Sequence, residues 1–410
     1  MNKLWTREGG SSMSDGLITA VPHGFRAAGV TAGLKKSGSL DMAVLAADGP
    51  CAAAGVYTTN RVCAAPVKWC RALTPSSAIR AVVVNSGNAN AATGAQGLAD
   101  AQRTAETAAR LLGCRPDQVL VASTGVIGRP LPMNRIEAGT AQAMAALVPE
   151  AAAFATAARA IMTTDTRPKI VNRTFTSGGR ETAILGLAKG AAMIGPRMAT
   201  MLGFLLTDAS VAADDLRAIL SRAVDRSFNC LSVEGHASTN DTVLLLASGQ
   251  GPALAGQALA EFAAMVESAC ETLAQAIADD GEGSTHFITI EVDGCATEAD
   301  ARSIARCVAD SPLVKTAIHG ADPNWGRIVS AAGYAGVMFE EQDLSLTING
   351  VVVYDRGAPT AFDPEALSRS IRARRPVELR LAFTLGPAAV RFWTCDLTAE
   401  YIRLNADYTT

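Results

Sequence analysis

"AKGAAMIGPRMATMLGFLLTDA", residues 188–209, carries a basic residue, Lys189, and then a break at Gly195-Pro196. From Met201 to Leu206 it runs almost wholly apolar. A short continuous apolar run bounded by turn signals fits a strand buried on both faces or the start of a buried helix. The residues before it, "RTFTSGGRETAILGLAKG" (173–190), read as a hairpin turning at Gly178-Gly179. One hydroxyl, Thr200, stands at the head of the apolar run. Such a threonine is ordinarily a packing residue whose hydroxyl bonds the backbone. There is one chemical alternative. If the bond before a threonine is cut, its own new α-amine can serve as the base that activates its hydroxyl. A stiff Gly195-Pro196 turn suits the presentation of an Ala199–Thr200 bond for that cut.

Outward from this stretch the pattern is mixed α and β, without internal repeats or low-complexity linkers. "IRAVVVNSGNANAATGAQG" (79–97) is a buried strand entering a Gly/Asn-rich loop, and "LADAQRTAETAARLLGC" (98–114) is a helix ending at Gly113. "DQVLVASTGVIGRPLP" (117–132) is a second strand that leaves through Ser-Thr-Gly. "AAAFATAARAIMTTD" (151–165) is a helix stopping at a threonine pair. Beyond the opening stretch come a helix over 214–228, a strand over 242–249 and a long helix over 258–280. A β-rich tail with alternating patterning follows: "ITIEVDG", the helix "TEADARSIARCVAD", then "LSLTING", "VVVYD" and "VELRLAFTLG". A soft division near residue 287 separates a 13–287 catalytic unit from a 288–410 C-terminal unit, and with no linker between them the two should pack closely.

Composition narrows the function classes. Half the residues are apolar (49%), enough for a sizeable core in a chain of 410 residues. With 36 basic against 39 acidic residues and no block of like charge, neither a nucleic acid nor an anionic membrane surface is indicated as partner. The longest apolar stretches break before the ~18 residues of a membrane span. "MNKLWTREGGSSMSDG" (1–16) lacks the apolar core of a secretory signal, so the expected compartment is the cytoplasm. Nine cysteines without C-x-x-C spacing and four scattered histidines point to free thiols, with no metal site. Dinucleotide and P-loop fingerprints are missing, as are the nucleophile-elbow and H-E-x-x-H motifs. Four polar segments remain at the ends of apolar runs: "NSGNANAATG" (85–94), "STGVIG" (123–128), "TTDTRPK" (163–169) and "STNDT" (238–242). By composition each is a turn before it is a site.

Taken together, the segments are specific. "KGAAMIGPRMATML" (189–202) resembles the self-cleavage segment of the ornithine acetyltransferase (glutamate N-acetyltransferase) family. "NSGNANAATG", "STGVIGRPLP", "IMTTDTRPK", "STNDT", "DGEG" (280–283), "SPLVKTAIHGADPNWGR" (311–327) and "YIRLNADYTT" (401–410) follow the same family in order, so the likeness covers residues 17–410. It implies a layered α/β sandwich with a smaller C-terminal α+β domain. It also implies self-cleavage between Ala199 and Thr200, giving an α chain (1–199) and a β chain (200–410) that stay associated, with α₂β₂ as the expected assembly. Thr200 would then take the acetyl group from N-acetylornithine as an ester and pass it to glutamate. Acetyl-CoA is left open as another donor. By the same likeness Thr124 and Gly125 form the oxyanion hole, and Thr163, Lys189, Thr200, Glu282, Asn405 and Thr410 contact the substrates. Lys189 would favour the free amine of Thr200 through like charge. No metal or bound cofactor is implied. The rival within the same self-cleaving superfamily is an amidase or aminopeptidase, with water as acceptor. The chain departs from the family pattern at Ala191, Ala192, Gly195 and Arg197, and at His236 and Ala237, where an acidic residue and a threonine are usual. Those last two bear on acceptor specificity.

Overall fold

The computed structural model describes residues 17–177, 179–195 and 201–407. Eight strands form the larger sheet: β1 (Phe25–Val30), β2 (Met42–Tyr57), β3 (Ser76–Asn88), β4 (Val119–Val126), β5 (Lys169–Ser177), β6 (Arg180–Lys189), β7 (Leu202–Thr207) and β8 (Thr242–Ala247). Their spatial order is β4-β3-β2-β8-β7-β6-β5, with β1 paired to β2. The β3–β4 and β7–β8 pairs are parallel, and the other pairs of this sheet are antiparallel. Every residue of β7 and β8 is buried, which is why both read as unbroken apolar runs: a strand covered on both faces has no solvent side to alternate with. The strand alternative for the run after Thr200 is therefore the one realised. The predicted hairpin is β5–β6, in register from Lys169 against Ala188 to Ser177 against Arg180. Gly178 of its turn lies outside the described residues.

Six helices flank this sheet: α1 (Ala65–Leu73), α2 (Gly94–Leu112), α3 (Met133–Ala145), α4 (Ala151–Ala160), α5 (Ala213–Arg226) and α6 (Gly256–Asp279). Helix α2 ends at Gly113 as the sequence indicates, its N–H closing on the Ala109 carbonyl. It begins four residues earlier than its apolar periodicity, at Gly94, and so takes in the end of the Gly/Asn-rich segment. Helix α4 stops at Ala160, ahead of the Thr163-Thr164 pair, which leaves both threonines in a loop at the sheet end.

A second sheet holds β9 (Phe287–Cys295), β10 (Ser345–Ile348), β11 (Val351–Asp355), β12 (Ala358–Pro359), β13 (Pro376–Ala382) and β14 (Ala388–Cys395), in the order β12-β11-β10-β13-β9-β14. Helices α7 (Glu298–Asp310), α8 (Pro312–His319), α9 (Trp325–Gly333), α10 (Pro364–Arg372) and α11 (Ala399–Asp407) accompany it. Helix α7 starts where Thr297 accepts a hydrogen bond from the Asp300 N–H, a side-chain cap that fixes its first turn. One face of the larger sheet packs Phe25, Leu45, Leu187, Phe204 and Leu244 against Phe154 of α4. The other face packs Leu205 and Leu245 against α5 and α6, and the same cluster continues through Leu273 into Ile290, Leu379 and Trp393 of the second sheet. That face, α5, α6 and the second sheet thus share one apolar cluster, and burial on this scale is the dominant stabilising term.

Strand register decides where chemistry can sit. Lys189 pairs with Leu202, Leu202 with Thr242, and Thr242 with Tyr57, so β6, β7, β8 and β2 reach one common sheet end. The segment between Lys189 and Leu202 leaves and re-enters the sheet there. Across the sheet, Ser86 of β3 pairs with Thr124 of β4.

Candidate active site

The predicted loops converge because buried polar groups tie them together. Asn240, which precedes β8, donates through Nδ2 to the carbonyls of Ala89 (2.6 Å) and Ser123 (2.8 Å), joining "STNDT" to the loop after β3 and to strand β4. Ser123 donates to Asn85 Oδ1 (2.6 Å), and Asn85 Nδ2 donates to the Asn88 carbonyl (2.8 Å). On the other side, Lys169 Nζ bridges Asp165 Oδ1 (2.5 Å) and Asp280 Oδ2 (2.6 Å), so "TTDTRPK" is bonded to "DGEG". The Glu282 N–H donates to the Ala191 carbonyl at 2.9 Å, bringing "DGEG" against the segment that follows Lys189. Each bond satisfies a group whose burial would otherwise cost several kcal/mol, about 2–7 by transfer scales. Asparagines and a buried lysine at strand ends are thus the mortar of the site.

These loops enclose a cavity of about 220 Å³. Its lining includes Thr124, Gly125, Thr163, Lys189, Glu282 and Asn405, the six predicted site residues that are described. Ala199, Thr200 and Thr410 lie outside the described residues. Two pairs are bonded directly: Lys189 Nζ to Thr163 Oγ1 (3.1 Å), and Asn405 Nδ2 to Glu282 Oε2 (3.0 Å). Cationic and acidic functions therefore face one space, the division a zwitterionic amino-acid substrate requires. Gly125 has φ +128°, and a Cβ there would fall 2.4 Å from the Gly87 carbonyl carbon. The neighbouring strand β3 thus approaches so closely that only a glycine fits here.

Electrostatics divide the site into a charged and a neutral side. Burial drives the Lys189 ammonium below its usual value, Asp165 opposes this, and Lys169 adds to it. For Asp165, burial works to raise the carboxyl, but Lys169 and Lys189, with the Gly190 N–H, outweigh it and hold the group at about 2. Glu234, which also lines the cavity, is pushed up to about 8 by burial, against the Ile194 N–H that it accepts and the Lys315 charge. Its Oε2 has no partner among the described residues. Asp241, fully buried, is driven well above the carboxylate range by burial, against the Met201 N–H bonded to its Oδ1 at 3.1 Å. Sequence reasoning assigned neither carboxyl a role. "SVEGHASTNDT" displays both, but only burial separates them from surface acids, and burial is not written in a tetrapeptide.

The nine cysteines are free thiols. Among the described residues no group of three or more His, Cys, Asp and Glu is placed to hold a metal ion, and no helix is long and apolar enough to cross a membrane.

Comparison with known proteins follows the same residues. A model of the ArgJ family matches residues 26–410. The arginine biosynthesis bifunctional protein ArgJ of Rhodopirellula baltica is 46% identical over 395 residues, covering 95% of this chain and 96% of its own. The protein of the same name from Symbiobacterium thermophilum is 48% identical over 405 residues, covering 96% and 99%. A solved structure of Mycobacterium tuberculosis ornithine acetyltransferase complexed with ornithine is 42% identical, with a TM-score of 0.38, over 43% of this chain and 92% of its own. A family model over nearly the whole length and relatives matched from end to end leave one assignment: this chain belongs to the ArgJ family.

Proposed function

We propose that the protein is an acetyltransferase of arginine biosynthesis that cleaves itself between Ala199 and Thr200 and moves an acetyl group from N-acetylornithine to glutamate. The observation that carries this reading is the cavity shared by Thr124, Gly125, Lys189 and Glu282, with Lys189 paired to Leu202 at the start of β7. Thr200 Oγ attacks the acetyl carbonyl, its proton passing to the α-amine of the same residue. Negative charge gathers on the acetyl oxygen, where the Thr124 hydroxyl and the Gly125 N–H act as donors; one such donor is worth about 10²–10³ in rate. The C–N bond breaks, the leaving ornithine amine takes the proton, and an acetyl-threonine ester remains. The amine of glutamate then attacks the ester through the same oxyanion, and Thr200 is regenerated. Glu282, with Asn405 on its carboxylate, serves the side-chain ammonium of ornithine. Lys189, with Thr163, serves the reacting end, where its lowered affinity for a proton limits the charge placed beside the Thr200 amine. Thr410 completes the substrate contacts.

Of the finer points, division of the chain at residue 287 and a cytoplasmic location rest on the pattern of the sequence, and an α₂β₂ assembly and acetyl-CoA as a second donor rest on the family resemblance. Intact-mass measurement of purified protein is the direct test, with fragments 1–199 and 200–410 expected. Thr200→Ala should remain one chain and form no product. An uncut wild-type chain with full activity would overturn the mechanism. Release of free acetate without N-acetylglutamate would instead favour a hydrolase.

A further inference from the structure

The two ends of the segment that bears the proposed scissile bond are both fixed by one loop, Ser232–Thr242. At the upstream end the Ile194 carbonyl accepts from three successive N–H groups, Val233 (2.8 Å), Glu234 (3.2 Å) and Gly235 (3.1 Å). The Ile194 N–H donates in return to Glu234 Oε1. Contact is closest at the next residue, where a Cβ on Gly195 would lie 2.5 Å from the Gly235 carbonyl carbon. Just before this clamp, Met193 sits in the left-handed region at φ +58°, a conformation that a non-glycine residue keeps only where its surroundings impose it. At the downstream end the Met201 N–H donates to Asp241 Oδ1 (3.1 Å), and the Met201 carbonyl accepts from Thr242 N–H (3.3 Å). The last described residues before the proposed scissile bond and the first after it are therefore anchored by Glu234 and Asp241, set in one short loop.

The loop is itself held from the second sheet. Ser232 Oγ donates to Asp310 Oδ1 (2.5 Å), and its N–H donates to the Trp393 carbonyl (3.0 Å). Buried Lys315 of α8 donates to the carbonyls of Val233 (2.7 Å) and Cys395 (2.5 Å) and to Thr394 Oγ1 (2.9 Å). The loop is thus tied at Ser232 and Val233 to the layer of the second sheet.

We propose that Glu234 and Asp241 are positioning residues for self-cleavage, gripping the two flanks of residues 195–200 so that Thr200 is presented to its own preceding peptide bond. This rests on the self-cleaving reading above. Neither carboxyl acts as acid or base in the cut; each accepts a backbone N–H, and Asp241 goes on holding Met201 after the bond is gone. Loss of about 1 Å in placement can cost about 10² in rate, which sets the expected size of the effect.

The test follows fragment formation with time by intact mass in full-length Glu234→Ala, Asp241→Ala and the isosteric Glu234→Gln and Asp241→Asn. Both alanine variants should cleave about 10²-fold more slowly than wild type. The isosteres, which keep an oxygen acceptor, should recover to within tenfold. Once Asp241→Ala has cut itself to completion, kcat should remain low with KM for N-acetylornithine within twofold of wild type, a split that general loosening would not give. Circular dichroism separates unfolding from misplacement, and an unfolded alanine variant leaves the isostere pair to decide. Wild-type cleavage rates in a folded Asp241→Ala, or isosteres as slow as the alanine variants, would overturn the proposal. Wild-type protein that never cuts itself would instead overturn the underlying reading.

Discussion

At the scale of single residues, the site is governed by which carboxyls burial leaves neutral. Asp165, buried behind the cavity against Lys169, and Glu234, on the cavity lining, move in opposite directions, because two lysines face the first while burial dominates the second. The groups facing Glu234 are Lys315, which favours its ionised form, and Glu282 and Asp310, which oppose it. A carboxyl raised from 4.5 to about 8 in the folded state holds its proton more tightly there than in the unfolded chain. Its contribution to stability is complete below pH 4.5 and is lost as pH rises toward 8. Wild-type melting temperature should therefore fall across that window, and Glu234→Gln, which cannot ionise, should show a flatter profile. Equal slopes in thermal melts at several pH values would refute this. Asp165 has the opposite sign: its stabilisation is present above pH 3.8 and is lost as pH falls to about 2.

At the scale of elements, the sequence displayed more than composition alone suggests. The apolar runs at 202–207 and 242–247, the hairpin before them and the stop at Gly113 were legible because each follows from local periodicity or turn chemistry. Six site residues were legible only as members of matching segments; Glu282 by itself is a turn residue and Asn405 a surface residue. What stayed hidden is non-local. Nothing in "RPK" says that Lys169 will bridge two aspartates 115 positions apart in sequence (165 to 280), and nothing in "SVEG" says that Glu234 will be buried. Helix α11 is the element that separates folding from function most cleanly. None of its residues is fully buried, yet Tyr401 and Asn405 line the cavity and Thr398, just before it, donates to the Gly283 carbonyl (2.8 Å). Truncation after Thr398 should leave a folded, self-cleaving protein whose kcat/KM for N-acetylornithine falls at least tenfold, a loss of about 1.4 kcal/mol. Asn405→Ala should show a smaller part of that loss, about fivefold, for one bond to a carboxylate of ~1 kcal/mol net. A truncated protein with unchanged kcat/KM would show that α11 only covers the site.

At the scale of the whole molecule, strand order explains how a chain cut in the middle of its sheet stays one body. The proposed cut falls between β6 and β7, which are neighbours. Strands β7 and β8 belong to the downstream fragment, yet they lie between β6 and β5 on one side and β2 and β3 on the other, all from the upstream fragment. Two ladders, β2–β8 and β6–β7, join the fragments, and the cluster around Leu205 draws Ala54, Ile184 and Ala188 from one and Leu245, Phe262 and Trp393 from the other. Separation would require both ladders and that core to open at once, so the cut protein should elute as one species containing both fragments and unfold in a single transition. Assembly is another matter, because only the uncut chain carries its halves together into refolding. Denatured Thr200→Ala should regain its structure with a yield nearly independent of concentration at the level of the chain fold, whereas the denatured cut protein must bring two fragments together, and its yield should fall on dilution. Refolding of both from denaturant, followed by circular dichroism over a hundredfold range of concentration, tests this. Equal yields throughout would mean that one fragment folds without the other, and the interlaced strand order makes that the outcome least compatible with the sheet.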